Sequence, residues 1–160
     1  MINLNGNSSS SRQVTFITHP SIQSKAFASY LSETLMAPVV LQNINKPLAQ
    51  RLAKDSVILF DIAVSNKKLN GVWRDIIRLQ ADNPRLLIIN SAQKYELYEM
   101  AQWPALYGVF RHDDDESRLI EGVKAVLNGE QTAELSVMHP AMYAADHAST
   151  PVENSPLTER

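Results

Sequence analysis

The chain has 160 residues, enough for one ordinary domain with a short appendage. Its 44% hydrophobic and 20% charged content excludes a disordered or fibrous chain, and a net charge of -2 excludes the basic surplus of a free-standing nucleic-acid binder. The absence of cysteine removes disulfides, thiolate metal sites and cysteine nucleophiles, and it fits a cytoplasmic setting. No apolar run approaches the ~20 residues of a membrane span, and the opening residues lack the basic and apolar regions of a signal peptide.

Residues 1–12 are rich in Asn and Ser and are expected to form a disordered tail. Val14–Thr18 is a β-prone run that stops at His19-Pro20, because proline cannot donate to a strand ladder. Ile22, Ala26, Phe27, Tyr30, Leu31 and Leu35 then recur at three-to-four spacing, with Ser21 at the N-cap position and Pro38 just beyond. This reads as the clearest amphipathic helix of the chain. Val39, Val40 and Leu41 mark a second strand, and Pro47 opens a short helical patch over residues 48–53.

Residues 56–61 form a continuous apolar run ending in Asp61, the pattern of a strand covered on both faces. Leu69, Val72, Trp73, Ile76, Ile77 and Leu79 predict a helix closed by Asn83-Pro84. A buried strand follows over residues 86–90, then a weaker helix over 95–101 and a last strand over 107–110. The helix predicted over 115–127 has an acidic start (Asp113, Asp114, Asp115, Glu116), which suits its dipole, and Asn128-Gly129 as its stop. One more helical patch is expected over 132–138, and an Ala/Ser/Pro-rich linker runs from Ala144.

Strand and helix alternate five times with short links, so the expected fold is a (βα)5 doubly wound parallel sheet with an extra C-terminal helix. Chemistry in such folds gathers at the carboxyl ends of the strands: Thr18-His19, Asp61, Asn90-Ser91 and Arg111-His112. By position alone Asp61 reads first as a cap or turn residue; as an exposed carboxylate at a strand end it could instead accept a phosphoryl group, which would also need Mg²⁺ held by carboxylates near the first strand and a cation at the last. The first strand offers Thr18 and His19 instead of acids. The four histidines form no close-spaced ligand pair, Gly129 lies in no phosphate cradle, and Ser91 lacks a nucleophile elbow. The expectation is therefore no metal, no cofactor and no enzyme; a flavodoxin-like enzyme or nucleotide binder is the weakest reading.

Five strand–helix units with Asp61 at the third strand's end resemble a response-regulator receiver domain. More closely, Asn45, the 56–61 run, Lys67-Lys68-Leu69, Trp73, Trp103-Pro104, Gly108-Val109-Phe110, Gly122-Val123, Val126-Leu127 and Gly129-Glu130 resemble the CsgD/VpsT-type biofilm regulators of the LuxR class. The resemblance spans residues 13–130. It implies a regulatory and dimerisation domain of a transcription factor for biofilm-matrix genes. Residues 131–143 would then be an extra helix, and residues 144–160 a linker to a LuxR-type DNA-binding domain, whose Leu-Thr-x-Arg-Glu opening Leu157-Thr158-Glu159-Arg160 resembles.

It also implies roles. Asp61 stands at the phosphoacceptor position and Ser91 at the switch position. Thr18 and His19 replace the two receiver acids, and His112 replaces the Lys. Asp61, Thr18, His19, Ser91 and His112 would thus form a degenerate pocket. The Trp-x-Thr/Ser-Arg motif that binds cyclic di-GMP in the VpsT branch corresponds here to Thr132-Ala133-Glu134-Leu135, which has neither aromatic ring nor Arg. The alternatives are a phosphorylatable receiver using Asp61 and a cyclic di-GMP-responsive regulator. Tyr30, Met36, Leu135, Met138 and Met142 are the expected surface of a homodimer or larger homo-oligomer.

Overall fold

Continuous apolar runs leave a strand no face for water, and the computed structural model, which describes residues 13–92 and 97–129 (the backbone alone at Leu97), places them in one parallel sheet. The strands are β1 (Val14–Thr18), β2 (Val39–Asn43), β3 (Val57–Asp61), β4 (Arg85–Ser91) and β5 (Leu106–Arg111). Their spatial order is β2-β1-β3-β4-β5, and every pair is parallel. Among the described residues the helices are α1 (Ile22–Leu35), α2 (Lys67–Gln80), α3 (Leu97–Ala101) and α4 (Glu116–Leu127), with a 3-10 turn at Ile62–Val64.

Alternation along each strand divides the core in two. Val57 and Leu59 of β3 face Leu31 of α1 and Val123 of α4, while Ile58 and Phe60 face Trp73 and Ile77 of α2 and Trp103 beyond α3. The Trp73 indole Nε1–H donates to the Ile44 carbonyl at 2.9 Å, so the largest buried side chain has its polar atom satisfied. Trp103 packs 5.0 Å from the Phe60 ring, with the Arg74 guanidinium 5.3 Å from its own ring centre. Arg85 donates to the Val126 carbonyl at 2.6 Å, pinning the end of α4 to the start of β4.

Three expectations change. The first concerns α1, which is capped as expected by Ser21 in a capping box with Ser24. Its inward stripe is Phe27, Ala28, Leu31 and Leu35, whereas Ile22, Ala26 and Tyr30 lie on exposed positions. The helix carries apolar residues on both sides, so periodicity alone picked out two faces at once. The second concerns residues 48–53, which are not helical. The buried Gln42 amide takes over that backbone: its NH2 donates to the Asn43, Lys46 and Pro47 carbonyls and its oxygen accepts from the Ala49 N–H. The third concerns the acidic run, of which only Glu116 is helical. Asp115 is the N-cap, Asp114 accepts from the Arg111 N–H at 2.7 Å, and Asp113 pairs with the Arg111 guanidinium. Residues 1–12, the 131–143 helix and the 144–160 linker lie outside the described residues. Among the described residues, no helix is long and apolar enough to cross a membrane.

One close contact offers a test. A Cβ on Gly122 of α4 would meet the Phe110 ring at 2.6 Å, and Phe110 is fully enclosed by the core. Gly122→Ala is expected to destabilise the fold by about 1–3 kcal/mol despite its better helix propensity. Urea unfolding should show a lower midpoint at unchanged slope; an equal or higher midpoint would show that Phe110 can move aside.

Candidate functional site

In the order β2-β1-β3-β4-β5 the chain leaves β1 in one direction and β3 in the other, so the crevice of this sheet opens at the carboxyl ends of β1 and β3. Thr18 and Asp61 stand there. The Thr18 hydroxyl donates to Asp61 Oδ2 at 2.7 Å, joining the two strands across the switch point. Asp61 Oδ1 accepts from the Asn90 side-chain amide at 3.0 Å and from the Ala63 backbone N–H at 3.2 Å, the latter as N-cap of the 3-10 turn. Asp61 is 7% exposed and Thr18 2% exposed.

The expectation of an exposed Asp61 is therefore corrected. Its carboxylate is buried because the 3-10 turn folds back over the end of β3 and because β4 brings an amide up beside it. Three neutral donors hold it, and among the described residues it forms no ion pair. Neutral hydrogen bonds of this kind satisfy a buried carboxylate without a cation.

Asn90 is the member that sequence reasoning misses, since the sequence marks it only as a strand end. It reaches Asp61 because β4 carries an irregularity between Ile88 and Ser91, where Asn90 takes a left-handed backbone with φ 62°. Asn tolerates that region better than most residues with a side chain, and a bulge re-aims the side chain next to it. The available signal is an Asn interrupting a run of buried aliphatic residues at a strand's carboxyl end.

The other expected pocket residues are spread more widely. Thr18, His19 and Asp61 line one cleft of about 330 Å³, together with Phe16, Phe27 and Asn90. His19 is exposed at its rim, where its carbonyl accepts from Ser24 Oγ at 2.9 Å. His112 is also exposed and lines a separate hollow of about 180 Å³. Phe27, Ile89, Asn90 and Leu119 form the wall common to both. Ser91 is buried, and its carbonyl accepts from the His112 N–H at 3.0 Å. Arg111, the cation nearest this end of β5 in sequence, is engaged by Asp113 at 3.2 Å. Among the described residues no group of three or more His, Asp or Glu could hold a metal ion. Tyr30 and Met36 are 44% and 90% exposed on α1 and its C-cap; Leu135, Met138 and Met142 lie outside the described residues.

The comparisons with known proteins bear on the family and the fold. Residues 16–133 match the family described as VpsT-like, receiver domain. The CsgBAC operon transcriptional regulatory protein of Escherichia coli (strain K12) is 32% identical over 114 residues, which are 71% of this chain and 52% of that protein. The probable csgAB operon transcriptional regulatory protein of Salmonella typhimurium (strain LT2) is 29% identical over 123 residues, 77% of this chain and 56% of that protein. The chain thus spans about half the length of the curated relatives it matches. Among solved structures, the crystal structure of the master biofilm regulator CsgD regulatory domain superposes with a TM-score of 0.71 at 27% identity, covering 80% of this chain and 98% of that one.

The Thr18–Asp61 bond is testable by itself. Thr18→Val keeps the volume but removes the donor, and it is expected to destabilise the fold by about 1–3 kcal/mol in urea unfolding. In an Asp61→Ala background the same substitution should be milder, with a coupling of about 0.5–3 kcal/mol in the double-mutant cycle. Additive losses would show that the two side chains do not depend on each other.

Proposed function

The chain belongs to the VpsT-like receiver-domain family, and from that premise we propose that it is the regulatory and dimerisation domain of a LuxR-class transcription regulator of biofilm-matrix genes. The relatives named for the CsgBAC and csgAB operons support the transcriptional part of this reading. In a protein of their length, residues 131–143 would add a helix and residues 144–160 would lead to the DNA-binding domain. The work of the domain is then to set the oligomeric state in which two such DNA-binding domains meet a two-fold site.

The observation that carries the reading is the state of Asp61. A phosphorylatable receiver needs a carboxylate free to attack, a Mg²⁺ ion bound by oxygen ligands and a cation for the phosphoryl oxygens. Here both oxygens of Asp61 are engaged by Thr18, Asn90 and Ala63. The positions of the receiver acids are Thr18, whose hydroxyl is spent on Asp61, and His19, whose imidazole is a poor ligand for Mg²⁺. The residues present do not fit the metal, and without it the developing charge of a phosphoryl transfer would go uncompensated. Asp61 acts as a fixed acceptor that holds the ends of β1, β3 and β4 in one arrangement, and the domain works as a degenerate receiver without conventional phosphorylation.

Incubation with acetyl phosphate and Mg²⁺ is expected to leave the intact mass unchanged; a phosphoryl adduct that disappears in Asp61→Ala would overturn the degenerate-receiver reading. Light scattering at about 100 μM, well above the micromolar constants of ordinary weak complexes, is expected to give a dimer or larger species. Cyclic di-GMP should not change that size, because Thr132-Ala133-Glu134-Leu135 offers neither a stacking ring nor an Arg fork. A size that shifts with the dinucleotide would favour the cyclic di-GMP-responsive alternative.

A further inference from the structure

The outer face of α1 has a symmetry of its own. Helical positions repeat every 3.6 residues, so Ile22, Lys25, Ser29, Glu33 and the capping Met36 fall within about 40° of one line along the helix. That line is the solvent side: all five residues are exposed, with Ile22 at 86% and Met36 at 90%. Among the described residues Met36 and Ile22 are the two most exposed large apolar side chains, and they stand at the two ends of this one stripe.

The stripe is also a palindrome in chemistry. Ser29 is its midpoint, Lys25 and Glu33 lie four residues to either side, and Ile22 and Met36 lie seven residues to either side. Lys25 and Glu33 are the only charged residues of α1, they are opposite in sign, and among the described residues neither forms an ion pair. A two-fold axis through Ser29 lays one α1 antiparallel on another. It brings Lys25 to the partner's Glu33, Glu33 to the partner's Lys25, and Ile22 to the partner's Met36. An isologous contact of this kind makes each pairing twice. Ser29 at the axis is small enough to let two helices approach to the short end of the usual 8–10 Å spacing. Its hydroxyl, both donor and acceptor, can also bond to its own symmetry mate there, so the polar atom at the centre is not stranded.

We propose that this stripe is the two-fold interface between two copies of the chain, a proposal that rests on the dimerisation reading above and gives it a surface. Tyr30, at the flank of the stripe, lies at the edge of the contact. The occupant is a second copy because the charges complement their own two-fold image.

The test is charge reversal in the full chain. Lys25→Glu and Glu33→Lys each replace two attractions by two repulsions, so each is expected to raise the dimer dissociation constant about tenfold. The double variant K25E/E33K restores the pairing and should return within about threefold of the parent. All are solvent-exposed positions, and far-UV circular dichroism checks that each variant is folded. As a second arm, Ser29→Cys introduces the only thiol of a cysteine-free chain at the axis, and mild oxidation is expected to give a covalent dimer. Leu79→Cys, 79% exposed on α2, should give none. A parent dimer unmoved by both single reversals, a double variant that stays weak, or S29C that does not cross-link within the dimer would end the α1 proposal and leave dimerisation standing. A parent chain that is monomeric at about 100 μM would end both.

Discussion

A parallel sheet must be covered on both faces, and everything else in this domain follows from how that covering is arranged. β3, with every residue buried, runs through the middle, so any polar group it carries has to find a partner inside the protein. The single polar side chain it carries is Asp61, at the carboxyl end. The tie to Thr18 on one neighbour and Asn90 on the other is the answer that the fold gives to that demand. Both oxygens of this carboxylate accept hydrogen bonds from neutral groups, on the two adjacent strands and in the 3-10 turn that follows β3, and the proposed reading of Asp61 as a structural acceptor rests on that.

The same demand explains the backbone around it. Asn90 takes a left-handed conformation that aliphatic residues avoid, and the ladder to β5 is irregular at that point. Strain of this kind persists where surrounding contacts hold it, and the hydrogen bond to Asp61 is one of them. Gln42 plays a comparable part at the other side of the sheet. One buried amide satisfies three carbonyls and one N–H of the loop after β2, and so decides that residues 46–49 run as an irregular turn. Two side chains of Asn/Gln type thus set the loop geometry at both sides of the switch point.

The helices divide unequally between core and surface. α2 puts Trp73 and Ile77 inward and places Lys67, Lys68, Asp75 and Arg78 on exposed positions, so that its two exposed apolar side chains, Val72 and Leu79, stand among charges. α1 puts one apolar set inward and leaves Ile22, Ala26, Tyr30 and the capping Met36 outward, with only Lys25 and Glu33 for charge. The proposed pairing through α1 rests on this difference: it would cover the exposed apolar side chains at the two ends of the helix and match its two charges to their own image.

The fold was legible in the sequence because its signals are local. Unbroken aliphatic runs, proline and glycine stops, and three-to-four spacing each arise from backbone sterics and burial within a few residues, so the five strands and the helices α1, α2 and α4 could be read directly, with ends that differ by a residue or two. The position of Asp61 at a strand end was legible for the same reason. What tertiary structure alone decided were the long-range partners. Asp61 is buried and not exposed because Thr18 and Asn90, 43 and 29 residues away, close over it. Residues 48–53 are not helical because Gln42 captures their backbone neighbours. Which side of α1 faces the core was undecidable from periodicity, since both sides carry apolar residues and only contact with Phe16 and Val123 selects one. Local sterics act along the chain and leave a pattern in it; hydrogen bonds and packing between distant residues leave none until the sheet brings them together.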